Sequence, residues 1–311
     1  MQILMLSMIK FFNLIRWKNL VLIALTQILI KYALFESFNI ELTLTTAQFT
    51  LLVLATLFIA AAGNIINDIY DIEADLVNKP EKVIVGKTIS EKTALNLFIA
   101  LNVLGVGIGF YLSNAIGRSG FAVIFVIISA LLYIYASYLK QTLLIGNIIV
   151  SILVAVSILI VPVFDLIPSI TSSNRELYLD IFKITLNYAV FAFMINLLRE
   201  IIKDIEDVNG DYKAQMKTLP ILIGRDRATM FTFALSFIPL LAVVQYIVLD
   251  LYNNISAVVY FLIFVVGPML YFTIKVFSAE QKNDYQHLSN VLKAIMLFGV
   301  LSLLLYPLVF N

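Results

Sequence analysis

The sequence predicts an all-α protein that crosses a membrane nine times. Of the 311 residues, 61% are hydrophobic and only 13% are charged, and the mean hydropathy is +0.98. A soluble domain carries roughly 45–50% apolar and about 25% charged residues, and its core could not bury this excess. The lipid bilayer is therefore the expected solvent, and helices satisfy every backbone hydrogen bond within it.

Nine apolar stretches are long enough to span a bilayer, which requires about 20 residues per helix. Polar and charged segments separate them, and the amphipathic lead-in before the first stretch has no cleavage pattern of a secretory leader. We expect one transmembrane domain over residues 1–311. The predicted spans are 20–37, 46–68, 93–113, 117–138, 143–165, 179–200, 228–249, 255–276 and 289–309.

The positive charges predict the orientation of the chain. Most of the 21 Lys and Arg residues fall in loops on the N-terminal side of the membrane, and the exceptions are Lys31, Arg118, Arg175 and Lys183. Lys and Arg collect in cytoplasmic loops. We therefore expect a cytoplasmic N-terminus and an outward C-terminus.

Two clusters of acidic residues with one shared spacing follow the second and the sixth span. Each has acids at positions i, i+3 and i+7, which lie on one face of an α-helix at about 100° per residue. Four spans separate the clusters, so both return to the same side of the membrane. This arrangement is typical of a parallel repeat of spans 1–4 and 5–8 with the ninth appended. The acids are Asp68, Asp71 and Asp75, and Asp204, Asp207 and Asp211.

The chemistry that these acids predict is a magnesium–phosphate site. Carboxylates this close repel one another unless a cation lies between them. The chain has no cysteine and one histidine, and oxygen ligands suit Mg²⁺, which completes its shell with water and phosphate. Either cluster alone could be a set of solvated loop charges. The repeated spacing on one side of the membrane favours metal binding by all six acids.

Basic and aromatic residues near the clusters have two interpretations. Arg199 and Lys203 precede the second cluster and could bind diphosphate. The enrichment of Lys and Arg in cytoplasmic loops would also explain basic residues at these positions. Tyr135 and Tyr138 close the fourth span. They fit an aromatic belt at the interface, and their ring faces could also stabilise a carbocation.

Both clusters and their flanks resemble the UbiA superfamily of intramembrane prenyltransferases. The first runs from Gly63 to Asp71 and continues through Asp75 to the tripeptide Asn78-Lys79-Pro80. The second runs from Arg199 to Val208 and continues through Gly210-Asp211 to Pro220. The likeness covers nearly the whole chain. The wording of both motifs is similar to the branch that transfers a geranylgeranyl group to a glyceryl-phosphate ether-lipid precursor.

The resemblance implies a Mg²⁺-dependent transfer of a prenyl group from its diphosphate to a small acceptor within the membrane. It implies a prokaryotic inner or cell membrane and an active site that faces the cytoplasm. Lys82-Val83 stands where the family usually has Arg-Pro, and lysine lacks the bidentate fork of arginine. The implied catalytic residues are Asp68, Asp71, Asp204 and Asp207, and the implied substrate-binding residues are Asn64, Asn67, Lys82, Tyr135, Tyr138, Lys140, Arg199 and Lys203.

Two other functions remain open from the sequence. Within the same enzyme class, the acceptor could be an aromatic quinone precursor. A cation-coupled transporter also has internal repeats and intramembrane acids, but it usually places the acids near the middle of the membrane. The net charge of +1 argues against a nucleic-acid partner. The oligomeric state does not follow from the sequence.

Overall fold

The computed structural model describes residues 9–310, and nine helices in this range are long and apolar enough to cross a membrane. The prediction of nine spans is confirmed. Shorter helices cover residues 9–14, Ile72–Asn78 and Leu219–Ile223. The nine long helices are α1 (Trp17–Phe38), α2 (Thr46–Tyr70), α3 (Glu91–Ala115), α4 (Ser119–Ser137), α5 (Ile145–Ser169), α6 (Arg175–Lys213), α7 (Arg225–Leu251), α8 (Ile255–Phe277) and α9 (Lys282–Leu308).

Helix α6 is longer than the sequence predicts. The predicted span ends at residue 200, but the helix continues to Lys213 and carries the whole second acidic cluster. Hydropathy falls after residue 200 because charged residues become frequent, whereas Ile201, Ile202 and Ile205 remain fully buried. The continuation is an amphipathic helix, whose apolar stripe packs in one of the apolar cores of the bundle.

The helices form one bundle with two large apolar cores and a smaller one around Leu14, Ile65 and Val85. Helix α2 packs on α3, and α6 packs on α5, α7 and α9. One core joins α1, α2 and α5 with the first half of α6, and the other joins the second half of α6 with α7, α8 and α9. Large apolar side chains such as Val103, Phe110 and Ile274 are exposed on the outside, as expected for a surface in contact with lipid.

Helices α1 and α5 have the same ending, which fits the predicted repeat. In α1 a π-helical turn at Ile30–Phe35 leads into a 3₁₀ turn at Glu36–Phe38. In α5 a π-helical turn at Pro162–Leu166 leads into a 3₁₀ turn at Ile167–Ser169. Equivalent helices of the two halves therefore depart from α-helical geometry at equivalent depths.

A buried ion pair joins these two endings. Lys31 Nζ lies 2.6 Å from Asp165 Oδ2, and the two side chains are only 6% and 0% exposed. Lys31 also donates to the carbonyl of Leu44 at 3.0 Å, and the amide of Leu44 donates to Asp165 Oδ1 at 2.7 Å. The Lys31 ammonium lies 4.9 Å from the ring centre of Phe49. This network fastens α1, α5 and the start of α2 at the end of the bundle opposite the acidic clusters.

Candidate active site

The two acidic clusters come together at one end of the bundle, here called the acidic end. The first cluster straddles the end of α2, because α2 stops at Tyr70 and a short helix follows at Ile72–Asn78. Backbone hydrogen bonds from Asp71 to Asn67 (2.9 Å) and from Asp75 to Asp71 (2.8 Å) continue across the break. The helical periodicity that places the acids on one side is therefore largely kept.

The short helix Ile72–Asn78 lies directly against α6. Asn78 Nδ2 donates to the carbonyl of Asp207 at 2.8 Å, and Asn78 Oδ1 accepts from the amide of Gly210 at 2.8 Å. A Cβ at Gly210 would lie 2.5 Å from the carbonyl oxygen of Ala74, so only glycine permits this approach. Lys282 of α9 donates to the carbonyl of Asn78 at 2.6 Å. Asn78 thus ties the first cluster to the second.

Cations from other parts of the chain pair with the first cluster. Arg16 lies 2.8 Å from Asp68, and Lys140 lies 2.6 Å from Asp71. Asn67 Nδ2 donates to the other oxygen of Asp71 at 2.6 Å. The segment before α1 is held in place by Asn64, which donates to the carbonyl of Ile15 at 3.0 Å.

Arg16 adopts a backbone conformation that non-glycine residues seldom take. Its φ of 53° and ψ of 51° lie in the left-handed region, which costs an L-residue about 1–2 kcal/mol. The turn of the chain at Arg16 leads directly into α1, while the guanidinium reaches Asp68. The contacts to Asp68 and to Asn64 hold this strained turn against the first cluster.

The second cluster has different partners. Asn147 of α5 donates to Asp204 at 2.8 Å, and Lys79 lies 2.7 Å from Asp207 and 3.4 Å from Glu206. Burial favours the neutral form of Lys79, but the Asp207 carboxylate raises the pKa of Lys79 above its usual value. Lys79 therefore remains a cation between the two clusters.

Arg199 and Lys203, the predicted diphosphate ligands, both contact Glu200. Arg199 lies 2.8 Å and Lys203 2.9 Å from this carboxylate. Neither is paired with an acid of the i, i+3, i+7 cluster in the ion pairs that the structure records. The Nε of Arg199 is buried without a hydrogen-bond partner in the described part of the chain, so the guanidinium still has a donor free for an anion.

The donor set fits Mg²⁺. Burial, together with repulsion from Asp71 and Asp68, raises the pKa of Asp75 to about 6, because a carboxylate at this position is partly removed from water and close to other negative charges. Asp207 Oδ1 is buried and has no hydrogen-bond partner within residues 9–310. No three acidic or histidine side chains in that range are close enough to hold a metal by themselves. Mg²⁺ usually takes one or two carboxylates and completes its shell with phosphate and water.

A cavity of about 900 Å³ opens between the two clusters and extends deep into the bundle. All six acids line its mouth, with Asn64, Asn67, Lys82, Tyr135, Lys140, Arg199 and Lys203 among the other lining residues. Its deeper wall is mostly apolar, with Thr26, Thr56 and Ser157 among the exceptions, and comes from α1, α2, α4, α5, α6 and α9. A polar mouth and an apolar shaft match an amphiphilic ligand with an anionic head.

The two predicted tyrosines are placed differently. Tyr135 lines the cavity near its mouth. Tyr138 is 65% exposed and does not contribute to the cavity wall. The helix ends at Ser137 and the backbone of Tyr138 leaves helical geometry, with φ −141° and ψ −53°, so its side chain turns away from the face that carries Tyr135.

Sequence patterns missed several residues of the site. In the sequence nothing distinguishes Arg16 from the other basic residues of its side, and Asn147 is a neutral residue in the first turn of an apolar helix. Glu200 and Glu206 lie outside the i, i+3, i+7 pattern, yet both line the cavity. Arg16, Asn147 and Glu206 have partners that are distant in the chain, whereas Glu200 pairs with its neighbours Arg199 and Lys203 and therefore resembles an ordinary helical ion pair.

The chain is similar to known proteins over most of its length. The model of the UbiA prenyltransferase family matches residues 25–294. The chain is 30% identical to digeranylgeranylglyceryl phosphate synthase of Methanosphaera stadtmanae, over 90% of this chain and 93% of that protein.

Two solved structures share the fold of this chain over most of its length. A structure described as giving insight into digeranylgeranylglyceryl phosphate synthase in membranes is 25% identical, with a TM-score of 0.64 over 96% of this chain and 98% of that one. A UbiA homolog from Archaeoglobus fulgidus, bound to GPP and Mg²⁺, is 17% identical and shares the fold, with a TM-score of 0.57 over 94% and 99% of the two chains.

Proposed function

The chain belongs to the UbiA prenyltransferase family, and we propose that it transfers a geranylgeranyl group from geranylgeranyl diphosphate to geranylgeranylglyceryl phosphate. The observation that carries this proposal is the cavity, whose mouth holds two acidic clusters and whose shaft is apolar. Relatives named digeranylgeranylglyceryl phosphate synthase that match most of the chain support this choice of acceptor. The homolog with bound GPP and Mg²⁺ supports the choice of donor class and metal.

In this proposal Asp68, Asp71, Asp204 and Asp207 would hold Mg²⁺, and Asp75 and Asp211, one turn further along each helix, would support them. When bound, Mg²⁺ neutralises charge on the diphosphate and makes it a better leaving group. Asn67 and Asn147 orient the carboxylates of Asp71 and Asp204 through the hydrogen bonds described above. The catalytic power of the acids therefore depends on neighbours that fix their oxygen atoms.

The cations of the acidic end bind the donor in the same scheme. Lys79, Lys140 and Arg16 neutralise the acids in the absence of substrate. All three also line the cavity, so their donors can turn to phosphate oxygens when the diphosphate enters. Charge-assisted hydrogen bonds to phosphate are stronger than neutral ones, which favours this exchange of partners.

The chemical step exchanges one C–O bond for another. The bond between C1 of the prenyl group and the diphosphate oxygen breaks, and the electron pair leaves with the diphosphate. The hydroxyl oxygen of the acceptor then bonds to C1, and its proton passes to solvent at the mouth. The ring of Tyr135 stabilises the allylic cation, and the apolar wall excludes water from it.

We propose further that the acidic end faces the cytoplasm. The distribution of Lys and Arg supports this orientation, because most of them lie in loops at that end. The buried pair Lys31–Asp165 gives no support to transport, since both side chains are enclosed and neither lines the cavity.

The test is transfer of radiolabelled geranylgeranyl groups by the purified protein, with and without Mg²⁺. Geranylgeranylglyceryl phosphate and hydroxybenzoate are offered in parallel, and Asp68→Asn and Asp204→Asn are compared with Asp180→Asn. Asp180 lies on the same helix as Asp204 but is exposed near the other end, where it pairs with Lys183. We expect Mg²⁺-dependent transfer to the glyceryl phosphate that only the first two variants lose. Transfer to hydroxybenzoate alone, or to neither acceptor, contradicts the proposal.

A further inference from the structure

The apolar shaft of the cavity is lined on the α4 side as far as one aromatic ring. On α4 the lining residues are Phe125, Ile128, Leu132 and Tyr135, which share one helical face. Tyr135 is at the mouth, and Phe125 is the deepest. Ten residues separate these two, which corresponds to about 15 Å along the helix at 1.5 Å per residue. Ile30, Thr56 and Ile160 line the cavity at its deep end on the neighbouring helices.

Phe125 is held rigidly at this position. Its side chain is 1% exposed, and its ring centre lies 5.4 Å from that of Phe164 in an edge-to-face arrangement. Behind it is Gly109 of α3, where a Cβ would lie 2.3 Å from Cδ2 of the ring. The absence of a side chain at Gly109 therefore lets the Phe125 ring stand back from the shaft.

We propose, on the basis of the proposed function, that Phe125 backed by Gly109 limits the length of the isoprenoid chain that the donor can carry. The wall that leads to Phe125 starts beside Asp71 and Lys140, where the donor diphosphate is placed. A prenyl tail that leaves this point along α4 reaches Phe125 at its far end.

The dimensions suit a chain of four isoprene units. On α5 the cavity wall runs from Gly146 to Ile160, or about 21 Å at 1.5 Å per residue. An extended chain advances roughly 1.2 Å per bond, so the main chain of a geranylgeranyl group spans roughly 18 Å. Tyr135 and Phe125 are about 15 Å apart on α4, so when the last unit of this chain reaches Phe125, its first roughly 3 Å lie at and before Tyr135, toward Lys140. One more isoprene unit adds four bonds, or roughly 5 Å, and would meet the Phe125 ring.

The test varies the donor while the acceptor stays constant. Geranyl, farnesyl, geranylgeranyl and geranylfarnesyl diphosphates are offered to the wild type, Phe125→Ala, Phe125→Leu, Gly109→Ala and Gly107→Ala. Gly107 is the matched control, because it lies on the same helix and a Cβ there would meet nothing within 4 Å. The measured quantity is the ratio of kcat/KM for two donors, which is independent of the fraction of folded protein.

We expect Phe125→Ala and Phe125→Leu to raise the preference for geranylfarnesyl over geranylgeranyl diphosphate, by about tenfold for Ala and less for Leu. Gly109→Ala pushes the ring into the shaft and should raise the preference for farnesyl over geranylgeranyl diphosphate by a similar factor. Gly107→Ala should equal the wild type.

The proposal is overturned if the wild type is active and both Phe125 variants keep its donor preference. It is also overturned if the preference changes only when the chain length of the acceptor is varied, because Phe125 would then limit the other substrate. An inactive wild type with every donor is a different result, since it contradicts the proposed function itself. Should Gly109→Ala fail to fold, the two Phe125 variants still decide the question.

Discussion

The two ends of the bundle hold buried charges in opposite ways. At the acidic end, Asp68, Asp71 and Asp207 each pair with a cation, and all six partners line an open cavity. At the other end, the pair of Lys31 and Asp165 is enclosed, and backbone groups satisfy its remaining hydrogen bonds. Both arrangements remove charge from lipid, but only the first leaves the charges accessible to a ligand.

This difference separates charges that bind a ligand from charges that hold the fold. An intramembrane ionisable residue is by default a functional candidate, and the sequence alone gives no reason to exclude Asp165. Its partners do: every oxygen of its side chain is used by the protein. Asp207, in contrast, keeps one buried oxygen without a hydrogen-bond partner in the described residues. An oxygen left without a partner therefore distinguishes Asp207 from Asp165, whereas the charge of the two residues does not.

The largest expected effect is on the acids of the cavity. Asp204→Asn should lower kcat/KM by at least about 10³, or about 4 kcal/mol, because amide oxygens bind Mg²⁺ less strongly than carboxylate. The thermal stability should stay near that of the wild type, since Asn147 can still donate to the amide oxygen. Initial rates and melting temperature in detergent measure the two quantities. A variant that loses stability but keeps kcat would show that Asp204 stabilises the fold, as Asp165 does, and does not bind the ligand.

The enclosed pair should give the reverse result. Lys31→Met leaves Asp165 buried without its cation, and breaking a buried pair in this way costs about 3–5 kcal/mol of folding free energy. The kcat per folded molecule should not change, because neither residue lines the cavity.

Replacement of both partners separates the lost charge from the lost contact. Lys31→Met combined with Asp165→Leu removes the uncompensated charge and should recover most of the stability. Denaturation in mild detergent compares the single and the double variant. A double variant that is less stable than Lys31→Met would argue against a purely structural pair.

A smaller effect is expected from the cations of the acidic end. Lys140→Met should raise KM for the donor by about 10- to 100-fold, or about 1.4–2.8 kcal/mol, because it removes one charged contact to phosphate. Lys140→Arg should recover part of this loss. Lys87→Met is the control, since Lys87 is an exposed lysine that donates to the carbonyl of Pro80. An unchanged KM in Lys140→Met would mean that this lysine serves only to neutralise Asp71.

The sequence predicted the class of fold and the position of both acidic clusters, because both depend on short segments of the chain. The length of an apolar stretch identifies a span, and the spacing of the acids within one helix identifies their shared face. Thirteen of the fourteen predicted site residues do line the cavity; Tyr138 does not. The partners of the acids were not predictable in the same way. Arg16 and Asp68 lie 52 positions apart, and Asn147 and Asp204 lie 57 apart. Such contacts depend on how the helices are placed against one another, which no spacing rule encodes.

Helix placement is also what the smallest prediction tests. Gly210→Ala would bring a Cβ to 2.2 Å from Asn78 Nδ2 and 2.5 Å from the carbonyl oxygen of Ala74, so the short helix Ile72–Asn78 must move away from α6. Overpacking of this kind costs about 1–3 kcal/mol. Because Lys79 follows this helix and bridges to Asp207, kcat/KM should also fall by about tenfold.

Gly107→Ala makes the same chemical change at an open position and should leave both stability and activity unchanged. The prediction thus asks whether the two acidic clusters work as one site. If Gly210→Ala lowers stability while kcat/KM for every donor stays at the wild-type value, the contact between the short helix and α6 is structural, like that of Lys31 with Asp165. If kcat/KM falls with it, the spacing of the two clusters is part of the catalytic geometry, and the acidic end is a site assembled by helix contact.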